Sequence, residues 1–196
     1  MSVLEVVEKF VSINGEGTKA GQLAVFIRFK GCNLNCKYCD TKWANEADAL
    51  AQKMTKEDIL EYVISTGIKN VTLTGGEPLL RDGIEGVIEC LADNNLNVEI
   101  ETNGSVPLDN IRKLHKDNVT FTMDYKLSCS GMEQAMRLEN FNVLNKNDTV
   151  KFVAGCHDDL VRTKQIIEKY NLYGKCNLYI SPVPLTVWHP CRGSAL

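Results

Sequence analysis

Segments typical of β-strands alternate with segments typical of helices along most of this chain. Six stretches are rich in β-branched and aromatic residues, and they span residues 22–29, 70–74, 97–102, 119–124, 149–154 and 176–181. Helical patterns lie between them, at residues 55–65, at 84–93, from 109 onward and at 158–170. Strands that alternate with helices form right-handed βαβ units around a parallel sheet. We therefore predict an α/β fold, a partial (incomplete) parallel β/α barrel with about six strands.

Two of the helical segments support more detailed predictions. Thr55 is a typical N-cap residue, and Asp58 follows it by three positions, the spacing of a capping box. In the last helix, Leu160, Ile166 and Ile167 form the apolar face that we expect to pack on the sheet.

Length and composition are those of an ordinary globular protein. The 196 residues fit one domain, 1–196, and a net charge of −3 gives no sign of the basic face that nucleic-acid-binding proteins carry. The apolar runs are too short to cross a bilayer, and the N-terminus lacks the continuous apolar stretch of a signal peptide. We therefore expect a cytoplasmic protein with no nucleic-acid partner and no membrane partner.

Unusual polar motifs follow the predicted strands where each strand ends. Ligands of parallel α/β proteins bind beyond the carboxyl ends of the strands, so these motifs are expected to share one site. In chain order the motifs are Cys32–Cys39, Gly75–Glu77, Glu101–Gly104, Asp124–Lys126 and Ser181–Pro182.

Cys32, Cys36 and Cys39 have the spacing C-x3-C-x2-C within the segment GCNLNCKYCDT. Gly31, Asn33 and Asn35 favour turns, so a loop around a metal centre is expected here. Structural zinc is the alternative, although it usually takes four ligands from two paired knuckles, and no second C-x2-C pair exists in the chain. A four-iron, four-sulfur cluster held by three thiolates keeps one iron for a small chelating molecule.

The other five cysteines lie singly along the chain. They are Cys90, Cys129, Cys156, Cys176 and Cys191, and we interpret them as small buried hydrophobes or inert thiols.

The cysteine loop resembles the motif of the radical S-adenosylmethionine superfamily, with Tyr38 as the aromatic residue before the last cysteine. Gly75-Gly76-Glu77-Pro78 is similar to that superfamily's GGEP motif, which meets the methionyl ammonium of the cofactor. The resemblance implies a 5′-deoxyadenosyl radical as the reactive species. The residues that it assigns to S-adenosylmethionine are Tyr38, Asp40, Gly76, Glu77, Glu101, Asp124 and Lys126.

Residues 10–183 resemble one family within that superfamily, the 7-carboxy-7-deazaguanine synthases, most densely between Ser12 and Thr41. The run FVSINGEGTKAGQLAVFIRFKGC and the Asp40-Thr41 pair carry the likeness. The resemblance implies a carbon–nitrogen lyase that converts 6-carboxy-5,6,7,8-tetrahydropterin to 7-carboxy-7-deazaguanine with loss of ammonia, in the queuosine precursor pathway. It also implies a homodimer and a flavodoxin- or ferredoxin-like reductant.

The same resemblance assigns residues to the substrate and to a magnesium ion. Arg28 is expected to face the barrel interior and bind the pterin carboxylate, as a guanidinium binds a planar anion. Thr41 corresponds to the family's magnesium contact, since hard cations prefer oxygen ligands. The remaining substrate-binding residues are expected to be Ile13, Asn14, Gly15, Glu16 and Thr74.

Two segments depart from the family pattern. Ser128-Cys129 stands where related sequences often carry Pro-Ser, near the expected cofactor. The tail, residues 184–196, resembles the family's W-x-P…R-G ending without the helix and strand that normally precede it.

Two other functions fit parts of this pattern. A glycyl-radical activating enzyme shares the cluster loop but acts on a protein partner. A non-catalytic module would use zinc or an iron–sulfur cluster only to hold the loop together.

Overall fold

All six predicted strands form in the structure, a computed structural model that describes residues 2–15 and 17–183. The strands are β1 (Leu4–Ile13), β2 (Leu23–Phe29), β3 (Gln52–Met54), β4 (Asn70–Gly75), β5 (Asn97–Thr102), β6 (Val119–Tyr125), β7 (Thr149–Ala154) and β8 (Asn177–Pro182). The helices are α1 (Lys56–Ser65), α2 (Ile84–Asp93), α3 (Asp109–Arg112) and α4 (His157–Lys169).

The described strands form one open sheet in the order β3-β1-β2-β4-β5-β6-β7-β8. The six predicted strands, β2 and β4 to β8, are parallel to one another, which confirms the predicted α/β fold with an unclosed sheet. Strands β1 and β3 were not predicted, and they pair antiparallel at one edge. Strand β1 alternates buried Leu4 and Val6 with exposed Glu5, a pattern typical of an antiparallel strand with one face towards solvent.

The two faces of the sheet differ in chemistry. Alternate residues such as Val25, Leu73 and Ile100 are fully buried and belong to the same apolar core as the inward side chains of α1 and α2. The opposite face of the sheet carries Arg28 on β2 and Lys151 on β7. Because a closed β/α barrel fills this inner face with branched apolar side chains, a polar inner face indicates a cavity for a polar ligand.

The helices form as expected, with one correction. Thr55 and Asp58 form the predicted capping box at the start of α1. In α4, Ile166 is buried, but Leu160 is 45% exposed, so the predicted apolar face was wrong at that position. The helix turns Asp159 and Thr163 inward instead, because both are held by hydrogen bonds. None of the described helices is long and apolar enough to cross a membrane.

The Asp159 carboxylate joins the loop after β6 to the loop after β7. Its Oδ1 accepts hydrogen bonds from the Ser128 hydroxyl at 2.8 Å and the Cys129 N–H at 3.3 Å, and its Oδ2 accepts from the Gly155 N–H at 2.9 Å. The Asp159 side chain is fully buried, whereas Ser128 is exposed and Cys129 and Gly155 are half-buried.

Replacing this carboxylate is expected to destabilise the protein. Asp159→Ala removes the buried carboxylate that accepts all three hydrogen bonds, and we expect the free energy of unfolding to fall by about 3 kcal/mol, because hydrogen bonds to a charged group contribute more than neutral ones. The measurement is urea denaturation followed by circular dichroism.

Asp158→Ala is the matched control, because Asp158 lies in the same helical turn but is exposed. It loses only a favourable interaction with the helix dipole, about 0.5 kcal/mol. Equal losses in the two variants would contradict the role of Asp159.

Candidate functional site

A cavity of about 370 Å³ lies at the carboxyl ends of the parallel strands. It is the position that parallel α/β proteins use for ligands, and it gathers residues from five of the polar motifs. Its lining includes Arg28, Cys32, Cys36, Tyr38, Cys39, Asp40, Thr41, Asn45, Thr74, Gly75, Gly76, Glu101, Asn103, Asp124, Lys126, Lys151 and Ser181.

The three clustered cysteines all line one end of this cavity, on the loop after β2. A tetrahedral zinc ion would draw its thiolates to within about 4 Å of one another. Within residues 2–15 and 17–183, the only trio of metal-ligating groups within 4.8 Å of one another is Cys129, Cys156 and Asp159. Cys32, Cys36 and Cys39 supply three thiols, which fits a multi-iron cluster with one open iron better than a structural zinc ion that usually takes four protein ligands.

Gly75 and Gly76 allow the loop after β4 to approach the backbone of the cysteine loop. A Cβ on Gly76 would lie 2.2 Å from the Gly31 carbonyl oxygen, and one on Gly75 would lie 2.5 Å from the Phe29 carbonyl oxygen. Only glycine fits at either position. Asn45 lies beside Gly76, and its buried Oδ1 has no hydrogen-bond partner among the described residues.

The Glu77 carboxylate faces away from the cavity. It is fully buried and accepts hydrogen bonds from the Asn103 N–H at 2.7 Å, the Leu79 N–H at 3.1 Å and the Thr102 hydroxyl at 3.0 Å. Burial raises the pKa of Glu77 to about 7, against the opposing effect of these hydrogen bonds. Through these hydrogen bonds, Glu77 connects the loop at residues 75–78, which we call the glycine loop, to the end of β5.

A cluster of opposite charges also lines the cavity. The Lys126 ammonium is 2.6 Å from one oxygen of Asp124, and the Lys151 ammonium is 3.1 Å from the other. Burial alone would raise the pKa of Asp124, but the two lysines outweigh it and lower that pKa. Tyr38 lies near this cluster, and its buried hydroxyl has no hydrogen-bond partner among the described residues. Burial raises the pKa of Tyr38 to about 12, so the phenol keeps its proton as a donor.

Arg28 and Glu101 line a second wall of the cavity. The Thr74 hydroxyl donates to Glu101 at 2.7 Å, and Thr74 pairs in register with Arg28. Glu8 on β1 accepts from the Arg28 Nε at 2.9 Å, which fixes one edge of the guanidinium. Burial raises the pKa of Glu101, so this carboxyl favours a proton or a cationic partner more than an exposed glutamate does.

Asp40 and Thr41 form the exposed rim of the cavity. The Thr41 hydroxyl donates to the Asp40 carboxylate at 2.7 Å, and both residues line the cavity. Their oxygens are of the type that hard divalent cations bind.

The N-terminal turn lies at the other end of the sheet face. Ile13 pairs with Leu23 at the start of β2, Ile13 is 62% exposed, and neither Ile13, Asn14 nor Gly15 lines the cavity. Asn14 is buried and donates to Glu99 at 2.8 Å. Glu16 lies outside the described residues, as does the predicted tail at 184–196.

Four polar residues that sequence reasoning left unassigned support this site. Asn45 and Lys151 line the cavity, and Asn103 contacts the cysteine loop. Glu99 accepts hydrogen bonds from Asn14, Thr72 and Thr122 below it. The signal in the sequence is strand alternation, which puts Glu99 on the face of Glu101 and Lys151 on the face of Thr149.

Two of the cysteines interpreted as isolated lie close together. The sulfurs of Cys129 and Cys156 are 3.4 Å apart, near Asp159. The Cys156 thiol is free, but Cys129 is disulfide-bonded, so its interpretation as an inert thiol was wrong. They come from the ends of β6 and β7, so their distance depends on strand order and is not visible from sequence spacing.

Comparison with solved structures supports the fold. The crystal structure of QueE from Escherichia coli matches with a TM-score of 0.72 at 23% identity, covering 94% of this chain and 86% of that one. The structure of Streptococcus suis SuiB bound to S-adenosylmethionine matches with a TM-score of 0.60 at 11% identity, covering 87% of this chain and 45% of that one.

Comparison of sequences identifies the family. The model of the Radical SAM superfamily matches residues 26–125. A 7-carboxy-7-deazaguanine synthase from Clostridium acetobutylicum is 59% identical over 91% of this chain and 81% of its own length. Another, from Methanospirillum hungatei, is 33% identical over 93% of this chain and 74% of its own length. The chain belongs to the 7-carboxy-7-deazaguanine synthase family of the radical S-adenosylmethionine superfamily.

Proposed function

We propose that this chain catalyses the radical-mediated ring contraction of 6-carboxy-5,6,7,8-tetrahydropterin to 7-carboxy-7-deazaguanine, with loss of ammonia. The observation that carries the proposal is one cavity that joins three cluster-type cysteines to a wall made by Arg28 and Glu101. The relatives named 7-carboxy-7-deazaguanine synthase support the same activity.

Cys32, Cys36 and Cys39 are the proposed ligands of the four-iron cluster. When bound, the cluster and S-adenosylmethionine supply the radical that removes a hydrogen atom from the substrate. The buried polar atoms that lack partners among the described residues, Tyr38 Oη and Asn45 Oδ1, fit a polar cofactor beside the cysteine loop. Gly76 leaves its backbone open to close approach, because it has no Cβ.

The proposed cofactor-binding residues act in two ways. Tyr38, Asp40, Gly76, Glu101, Asp124 and Lys126 all line the cavity and can contact the cofactor directly. Glu77 is turned away, so we propose that it acts through the glycine loop, which its hydrogen bonds to Thr102 and Asn103 hold in position.

The proposed substrate lies against the Arg28 wall. The edge of the Arg28 guanidinium opposite Glu8 is suited to a carboxylate, while Glu101 and Thr74 offer acceptors to the polar edge of a pterin. Thr41 at the rim is the proposed magnesium contact. Ile13, Asn14, Gly15 and Glu16 remain proposed substrate residues, and the structure favours an indirect role for Asn14 through Glu99.

The remaining sequence predictions complete the proposal. They are a single domain over residues 1–196, a homodimer, a flavodoxin- or ferredoxin-like reductant and a cytoplasmic location. A glycyl-radical activating enzyme would need access for a polypeptide, whereas Arg28 and Glu101 suit a small anionic, polar substrate. The zinc module is disfavoured because a structural zinc ion usually takes four protein ligands, whereas the cysteine loop supplies three.

An anaerobic assay of the reconstituted protein tests the proposed function. We expect 7-carboxy-7-deazaguanine from 6-carboxytetrahydropterin, S-adenosylmethionine, dithionite and magnesium. Cys36→Ala is expected to abolish product, because two thiolates cannot hold the cluster with one open iron.

Cys90→Ala is the matched control, since Cys90 lies on helix α2, outside the cavity lining. It is expected to keep wild-type turnover. Cleavage of S-adenosylmethionine without ring contraction would refute the pterin substrate, and a colourless protein with tightly bound zinc would refute the cluster.

Arg28→Lys is expected to weaken substrate binding. Lysine keeps the charge but loses the paired donors that match a carboxylate, so KM for the pterin should rise roughly tenfold to a hundredfold. Steady-state kinetics measure this, with Glu8→Gln as the comparison because it keeps the guanidinium. A KM unchanged in Arg28→Lys, or raised equally in Glu8→Gln, would argue against carboxylate recognition by Arg28.

The raised pKa of Glu77 predicts a pH dependence of stability. The ordinary pKa of 4.5 rises to about 7 in the folded state, so the folded protein keeps a proton that the unfolded chain loses. The stability contributed by this proton is complete below pH 4.5 and is lost as the pH rises through 7. Glu77→Gln carries no such proton, so urea denaturation between pH 4.5 and 7.5 should show a shallower decline. The same slope in both proteins would mean that Glu77 is ionised throughout.

A further inference from the structure

Three polar side chains form a closed ring of hydrogen bonds between the cysteine loop and the loop after β5. Asn103 Nδ2 donates to Asn33 Oδ1 at 3.1 Å, and Asn33 Nδ2 donates to Ser105 Oγ at 2.8 Å. Ser105 Oγ donates in turn to Asn103 Oδ1 at 2.6 Å. The ring links the residue next to Cys32 to the carboxyl end of a neighbouring strand.

The orientation of the Asn103 amide is fixed by its surroundings. The Ser105 backbone N–H also points at Asn103 Oδ1, at 2.9 Å, and a backbone N–H can only donate. The oxygen must therefore face Ser105 and the NH₂ group must face the cysteine loop. The Asn103 main chain is held as well, because its N–H donates to Glu77 at 2.7 Å.

The second hydrogen of that amide points at a cysteine sulfur. Asn103 Nδ2 lies 3.5 Å from Cys32 Sγ, and the Leu34 backbone N–H donates to the same sulfur at 3.4 Å. Asn103 is 93% buried, with a relative exposure of 7%, so water does not compete strongly for this donor.

We propose that Asn103 is a positioning residue that sets the reduction potential of the cluster through its N–H···S hydrogen bond to Cys32. The inference rests on the cluster in the proposed function but does not depend on the pterin substrate. Hydrogen bonds to the sulfur ligands are among the features that set the potentials of iron–sulfur clusters.

The sign of the effect follows from charge. Reduction adds an electron, and the negative charge is shared by the thiolate sulfurs. A donated N–H stabilises the reduced, more negative cluster more than the oxidised one, because hydrogen bonds strengthen with the charge of the acceptor. Asn103 therefore raises the potential, and its removal should make the cluster harder to reduce.

The test is an anaerobic redox titration of the reconstituted full chain, monitored by electron paramagnetic resonance, without substrate. In Asn103→Ala we expect the one-electron reduction equilibrium to fall about tenfold, a shift of about 59 mV to lower potential. Asn103→Asp keeps the shape but removes both donors and adds an anion, so its shift should be at least as large.

Ser105→Ala is the matched control. It opens the hydrogen-bonded ring but keeps the Asn103 donor and its anchoring by Glu77 and the Ser105 main chain. The wild-type potential is expected in this variant. An equal shift in Ser105→Ala would overturn the proposal, because loosening of the loop would then explain the effect.

Iron content separates tuning from a purely structural role. Asn103 variants that hold four irons per chain and keep the wild-type potential would overturn the proposal. Failure of both Asn103 variants to hold a full cluster would also overturn it. The titration contains no pterin, so it tests Asn103 independently of the substrate. If the wild-type enzyme does not convert the pterin but the Asn103 variants show the expected shift in potential, the proposed reaction is refuted and the role of Asn103 is supported.

Discussion

The site depends on the close contact of two loops that leave adjacent parallel strands. Strands β2 and β4 pair in register up to Phe29 and Gly75, and the pairing continues beyond them. The Gly76 N–H donates to the Phe29 carbonyl at 3.2 Å, and the Glu77 N–H donates to the Gly31 carbonyl at 2.9 Å. This contact fixes the start of the cysteine loop against the glycine loop, and any side chain on Gly76 would separate them.

A third loop completes the arrangement. Glu77 connects the glycine loop to the end of β5, because it accepts hydrogen bonds from Thr102 and Asn103. Asn103 in turn connects the end of β5 to the cysteine loop, because its side-chain amide donates to Asn33 and Cys32. Each loop is therefore held by the other two. The thiols, the glycine backbone and the cavity wall keep fixed relative positions because buried hydrogen bonds within a low-dielectric interior resist rearrangement.

Much of the fold was predictable, because strand and helix patterns are local. The six parallel strands and the capping box of α1 follow from short runs of residues. Strands β1 and β3 were missed because an antiparallel strand with one face towards solvent mixes apolar residues with charged ones, as Leu4 to Glu8 do. The position of Leu160 was wrong because periodicity cannot show that Asp159 is drawn inward by donors from two distant loops.

The residues of the candidate site were easier to predict than their side-chain orientations and contacts. Motifs named the residues at the strand ends, and strand alternation directed Arg28 and Thr74 inward. Neither kind of signal shows a rotamer or a partner from another loop. Glu77 accepts from Thr102 and Asn103, which are at least 25 residues away in sequence, and Asn103 is still farther from Cys32, so only the folded chain reveals these contacts.

Three glutamates near β4 and β5 have different roles, and two of them, Glu77 and Glu99, are buried while Glu101 is half-buried. Glu77 is enclosed by backbone and hydroxyl donors and holds two loops together. Glu99 is bonded to Asn14, Thr72 and Thr122 and anchors the N-terminal turn beneath the cavity. Glu101 has only Thr74 as a side-chain donor among its described hydrogen bonds, and of the three it alone lines the cavity. A carboxylate with spare acceptor capacity in a buried, polar cavity is the one that can bind a ligand, because its unused lone pairs need a donor.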